Sequence, residues 1–417
     1  MKSKKISFPF ISYFFSDPLP LIFSFFNDFL FYYSFYVTFF MNHGFSGGDL
    51  AILLIIMNAS KMIADIPIGI MSDTISRRNI LILGLLFRCI FCVLCLFGNS
   101  FLTFAIAMFV VGCGNSCLWT HTWNYFYDYL KEQKKEAIFS RFMGKFYAVS
   151  NVAIASAAFT GEHIYNYLSF NGIFTCSIVS LIFAGFIMFN LPNYKPKKTL
   201  KTAKNLKVSN SLHFFSLILE LLKKPRILRM LLLTILMDSM FIVFLDINTT
   251  IMNNAGILPK TITQIVGVVA FIRIFSNYFS GKTEKVMSFK RMHSMLLVLM
   301  IISIVASFYN TSAMIFVVSA YLCVYPFFDT SIKTKIEHKL DSNTRATVLG
   351  IASLFVSVLT IIFNSVIGIV AEKNGYFAAP VCIFIIVITI LFCVRNLQKF
   401  YRVDLVLRRF LLKVRHK

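Results

Sequence analysis

The stretch GIMSDTISRR, Gly69 to Arg78, lies between two long apolar runs. A glycine is followed four residues on by an acid, Asp73, and then by adjacent arginines, Arg77 and Arg78. Gly69 has the size expected where two helices approach closely. Asp73 falls at a helix end, within reach of a base on a neighbouring helix. Paired arginines between membrane spans hold such a loop on the cytoplasmic side.

The surrounding composition is that of a membrane protein. Of 417 residues, 58% are hydrophobic, 14% are charged and 48 are Phe. Apolar runs of about 20 residues, enough to cross a bilayer as helices, recur along the chain. They are apolar all round, unlike the one-sided helices of a soluble bundle. The expected fold is an all-α polytopic membrane protein with twelve spans. These are 18–41, 49–71, 79–98, 101–127, 138–162, 170–191, 227–252, 262–281, 292–309, 312–332, 346–371 and 377–395.

A net charge of +23 does not imply nucleic-acid binding, because the bases are segregated. Of 41 Lys and Arg, Lys260 and Lys373 fall on one side, and Lys61, Arg88 and Arg273 lie inside spans. The rest occupy the N-terminus, the even-numbered loops with the span ends beside them, and the C-terminus. Lys333 is counted with the loop after span ten. This positive-inside pattern places both termini in the cytoplasm.

The Lys-rich stretch 193–226 divides the chain into an N-terminal six-helix bundle, 1–192, and a C-terminal one, 227–397. A basic cytoplasmic tail, 398–417, follows. The segments 211–222 and 398–417 are amphipathic and read as anchors on the anionic inner membrane surface. Cys89, Cys92 and Cys95 sit in an apolar span with no His or acid nearby in sequence, so they read as packing residues rather than metal ligands. The first apolar run is too long for a cleavable signal.

Several stretches carry a family resemblance. ADIPIGIMSD, with Asp65 and Pro67, resembles the acid-Ile-Pro-x-Gly-x-x-x-Asp pattern of a bacterial branch of the major facilitator superfamily. WNYFYDYLKE, with Tyr127, Asp128 and Leu130, resembles the end of that branch's fourth helix. The segment from Ser140 to Asn166 is similar to the helix that follows, with Gly144 and Gly161 at matching points. Thr74 replaces the usual base and Ser76 the usual glycine. In the second half, GKTEKVMSFKR matches the equivalent loop poorly, offering Glu284, Lys290 and Arg291.

The resemblance implies two bundles of repeated three-helix units, with spans one, four, seven and ten lining a central cavity. It implies that a loop arginine bridges to Asp128 and that Asp73 caps a contact between the halves. Gly69, Asp73, Arg77, Arg78 and Asp128 then form a latch that closes the cytoplasmic side in the outward-facing state.

Ionisable groups inside spans are costly unless paired or hydrated, so each is a functional candidate. The acids are Asp28, Asp65, Asp238, Asp246 and Asp329; the bases are Lys61, Arg88 and Arg273. Lys61 and Asp65 are one helical turn apart and can neutralise each other. Asp28, Asp238 and Asp246 have no base within a turn, which suits proton uptake and release. The alternative for Asp28 and Asp238 is a packing salt bridge to Arg88 or Arg273. Trp119, His121 and Trp123 in span four, and Tyr321 and Tyr325 in span ten, are candidate cavity aromatics. Their bland reading is as interfacial anchors.

The expected activity is secondary transport in a bacterial inner membrane. Its first form is proton-coupled export of a small amphipathic compound such as a drug or antibiotic; the other is proton-coupled uptake of a nutrient. The expected partners are a small molecule, protons and lipid, and the expected state is a monomer. No cofactor or metal is called for, and no phosphate-binding glycine loop points to ATP drive. No Ser/His or His/Asp constellation supports a membrane-embedded enzyme, and no added soluble domain supports a sensor.

Overall fold

The computed structural model describes residues 18–72, 75–194, 225–288, 311–337 and 345–374, and helical residues within 291–305. Their regular structure is helical throughout. The expected span twelve, the segments 211–222 and 398–417, and Asp73 and Thr74 lie outside the described residues.

The helices are α1 (Pro18–Asp28), α2 (Tyr32–Asn42), α3 (Gly47–Ser72), α4 (Arg77–Phe97), α5 (Phe101–Glu132), α6 (Phe139–Asn190), α7 (Pro225–Asn254), α8 (Pro259–Val286), α9 (Thr311–Glu337) and α10 (Arg345–Asn374). Among the described residues, five helical stretches are long and apolar enough to cross a membrane. One of them runs from Arg141 to Asn190. It contains the expected spans five and six, divided at Ser169, where φ is 54° and ψ is −154°.

Local sequence explains several boundaries. Ser46 and Asp49 form a reciprocal cap before α3. Ser46 N–H donates to Asp49 Oδ2 at 2.9 Å, and Asp49 N–H to Ser46 Oγ at 3.2 Å. This satisfies two of the orphan amides of the first turn. Ser76 caps α4 by accepting from Asn79 N–H, which gives its departure from the family glycine a physical use.

Span one differs from the expected single helix over 18–41. It breaks after Asp28 and resumes at Tyr32, with no glycine or proline at Phe29, Leu30 or Phe31 to cause it. Polar groups from other helices occupy the opened backbone. Ser180 Oγ donates to the Phe26 carbonyl at 2.8 Å, Arg88 to the Asn27 carbonyl at 3.2 Å, and Phe31 N–H to Ser177 Oγ at 3.1 Å. Broken backbone at membrane depth is tolerated where protein groups re-satisfy it in this way.

Two large apolar cores organise the chain. One draws on residues between Phe23 and Leu191, the other on residues between Met230 and Ile367. Interlocked rings fill the first: Phe104 lies 5.4 Å from Phe39 and 5.3 Å from Phe40, edge to face, and Phe174 lies 4.9 Å from Phe39. In lipid such packing, rather than escape from water, drives helix association. The two helix groups meet along α6 against α8 and α3 against α10.

Among the described residues, a Cβ at Gly69 would meet nothing within 4 Å. Local sequence marks a small residue but not which helix comes near it. The tight crossing is at Gly112, where a Cβ would fall 1.9 Å from Ser60 Oγ and 2.3 Å from the Met57 carbonyl oxygen. Gly112→Ala must therefore push α3 from α5. We expect a loss of about 1–3 kcal/mol, read as a lower melting temperature in detergent; an unchanged melt would show that the crossing yields freely.

Candidate functional site

Asp28 sits at the break in span one and is held from three sides. Ser150 Oγ of α6 donates to Oδ2 at 2.6 Å, and the neighbouring Asn27 amide donates to Oδ1 at 3.0 Å. Arg88 of α4 stands 3.8 Å from Oδ1. Arg88 is only 6% exposed and also donates to Asn27 Oδ1 at 3.3 Å and Asn115 Oδ1 at 3.2 Å. The guanidinium thus ties α4 and α5 to the open end of α1.

Lys61 and Asp65 share a helix face but do not form an ion pair. Asp65 takes a hydrogen bond from Ser116 of α5. Lys61 lies over the Trp119 ring, 5.0 Å from its centroid. Its electrostatic neighbours beyond Asp65 are Asp246, Asp238 and Lys333 of the carboxy-terminal helices. The Gly112 crossing brings α5 near enough to supply both partners. Trp119 is 54% exposed, whereas His121 is buried with Nδ1 unpartnered. Trp123 packs edge-on against Phe139 at 4.9 Å.

Across the seam, α7 and α9 build a second charged cluster. Tyr325 donates to Asp238, and also to Asp329 at 3.1 Å. Lys333 sits 2.8 Å from Asp329 and 3.6 Å from Asp238. Two carboxylates, one ammonium and one phenol therefore share a site. Lys333 belongs to the interior and not to a loop; the detectable signal was its i,i+4 spacing from Asp329. Tyr325 stacks on Phe241 at 4.7 Å and on Tyr321 at 5.9 Å. The Tyr321 hydroxyl is spent on the Met237 carbonyl at 3.2 Å. Arg273 of α8 lies over the other partner ring, 5.3 Å from the Phe241 centroid. Tyr147 of α6 interacts electrostatically with Lys333, Asp329 and Asp28.

Opposite ends of the molecule carry different contacts. At one end, Arg77 pairs with Asp128 and donates to the Asn124 carbonyl at 3.1 Å. Arg78 donates to the carbonyls of Phe189 at 3.1 Å and Leu191 at 3.0 Å. All of these join helices of the amino-terminal group. At the other end the two groups are bound to each other. Glu162 and Lys260 pair at 3.0 Å, Tyr36 OH donates to the Asp246 carbonyl at 2.9 Å, and Thr38 Oγ1 donates to Asn253 Oδ1 at 3.3 Å. The Asp246 carboxylate faces the side-chain amides of Asn58 and Asn364.

A family model described as Major Facilitator Superfamily matches residues 20–364. No curated protein matches the chain. Solved structures match its fold. The nucleoside transporter NupG aligns at 14% identity, covering 91% of this chain and 98% of its own, with a TM-score of 0.63. A D-xylose-proton symporter aligns at 12%, covering 88% and 94%, with a TM-score of 0.65. A POT family transporter in complex with 5-aminolevulinic acid aligns at 13%, covering 91% and 95%, with a TM-score of 0.66.

Proposed function

The chain belongs to the major facilitator superfamily, and from that premise we propose that it is a proton-coupled carrier working by alternating access. One observation carries the reading. Asp28 with Arg88, and Asp238 with Asp329 and Lys333, are carboxylate clusters on opposite sides of the seam. A carboxylate that shares a cation with a second acid can accept a proton without stranding that cation. Loading and unloading then changes which partners it holds, and a two-state machine needs such a differential contact.

The proposed architecture is twelve spans in two six-helix bundles, 1–192 and 227–397, joined by 193–226 and ending in the basic tail 398–417. Charge segregation supports cytoplasmic termini. On that orientation the Glu162–Lys260 end faces outward and is held shut across the seam. Arg77, Arg78 and Asp128, with Gly69 and Asp73, are proposed to form the cytoplasmic latch that re-forms in the opposite state. The proposed state is a monomer in a bacterial inner membrane.

The first reading of direction is export of a small amphipathic compound, supported by Trp119, Tyr147 and Phe241 along the seam. The second is uptake, favoured by the buried polar side chains of Asn248, Thr249 and Asn364, which suit a hydrophilic solute. The structures it resembles include carriers named for a nucleoside and for xylose with protons. The test is a solute screen in inverted vesicles with a pH-sensitive dye. Export predicts that a solute added to the bath collapses an acid-inside gradient. Accumulation in whole cells with no vesicle response supports uptake; no solute-linked proton movement in either preparation overturns the coupling.

A further inference from the structure

Arg273 is an interior cation that lacks a counter-charge. Arg88 has Asp28, and Lys333 has Asp238 and Asp329. Among the described residues no carboxylate stands within ion-pair distance of Arg273, and its Nε is buried without a hydrogen-bond partner. Asp28, across the seam, acts on it electrostatically without pairing with it. The contact with Phe241, 5.3 Å from the ring centroid, supplies no counter-charge. A cation–π contact leaves the in-plane N–H donors unspent. Burying those donors and their charge without an acceptor is costly.

From this we infer that Arg273 is the carboxylate-binding residue of the transport cavity and that the solute is a small organic carboxylate. The inference rests on the carrier reading above and holds for either direction of travel. A guanidinium matches a planar carboxylate through two parallel hydrogen bonds. A single guanidinium suits one negative charge better than the two of a phosphate. The position also links anion to proton. Arg273 rests on Phe241, Phe241 stacks on Tyr325, and Tyr325 holds both Asp238 and Asp329. A carboxylate at Arg273 lies one aromatic layer from the acid pair. Its negative charge favours protonation there, and protonation favours the anion in return.

Thermal unfolding of the full-length protein in detergent tests this. The probes are lactate, pyruvate, succinate and glutamate, with lactamide, succinamide, glutamine and inorganic phosphate as contrasts. At least one carboxylate should raise the melting temperature by several degrees, as a native-state ligand must, while its amide does not. Arg273→Gln should melt no lower than wild type without ligand, because it removes an uncompensated charge, and should lose the shift. Arg273→Lys should keep a reduced shift and decides the matter if Arg273→Gln does not fold. Equal shifts from amides, a shift from phosphate alone, a full shift in Arg273→Gln, or no shift from any carboxylate each overturn the inference. Carboxylate binding without proton movement in proteoliposomes would sink the coupling and leave Arg273 in place. Proton movement driven by a neutral solute, unchanged in Arg273→Gln, would do the reverse.

Discussion

Asp238→Asn is expected to abolish proton-coupled transport while the protein still folds and inserts. Asparagine keeps the volume and an acceptor for the Tyr325 hydroxyl, so the packing of Phe241, Tyr321 and Tyr325 has no reason to change. Lys333 keeps Asp329 at 2.8 Å, so no buried ammonium is stranded. What disappears is a group that can be charged in one state and neutral in the other. Solute-driven proton flux should fall by about 100-fold or more, equivalent to about 2.7 kcal/mol, with a near-normal melting temperature. Wild-type flux in this variant removes Asp238 from the coupling.

Arg88→Leu is expected to fail differently, by losing the fold. Arg88 donates to the Asn27 carbonyl, Asn27 Oδ1 and Asn115 Oδ1, and faces Asp28. Its removal leaves a free carbonyl at the break in span one and a buried carboxylate without its cation. Taking one partner from a buried pair costs about 3–5 kcal/mol, enough to strip most of a typical margin of stability. The readouts are melting temperature and the monodisperse fraction after extraction. Arg88→Lys should recover part of the loss, since it restores charge but not the fork. If Arg88→Leu melts like wild type, the clamp on the broken helix carries no weight. Against Asp238→Asn, the pair separates an acid used for transport from a base used for architecture.

The spans matched by α3, α4, α5 and α7 were legible, within a few residues, because an apolar run has one stable use in a bilayer. The pairing of Arg77 with Asp128 was legible too, although only through family resemblance, since 51 residues separate them. The break after Asp28 was not. Nothing local interrupts the helix; its partners are Arg88, Ser177 and Ser180, from helices far along the chain. Lys61 and Asp65 invited a same-helix pair, and tertiary packing gave each a partner from α5 instead. In the sequence Lys333 reads as a loop base, because an apolar run ends beside it and Lys335 and Lys339 follow. Only its distances to Asp329 and Asp238 bring it into the interior. Long-range polar contacts decided each of these cases, and a single sequence does not encode them as a pattern.

Alternating access is most directly tested by tying shut the end where the two helix groups meet. Glu162 and Lys260 face each other across the seam at 3.0 Å, and cysteines at both positions can be joined with a short, reducible bifunctional thiol reagent. The carrier reading predicts that the reagent stops transport in the double variant, that it spares both single variants and wild type, and that reduction restores activity. Undiminished transport with the two groups shown to be linked would contradict it.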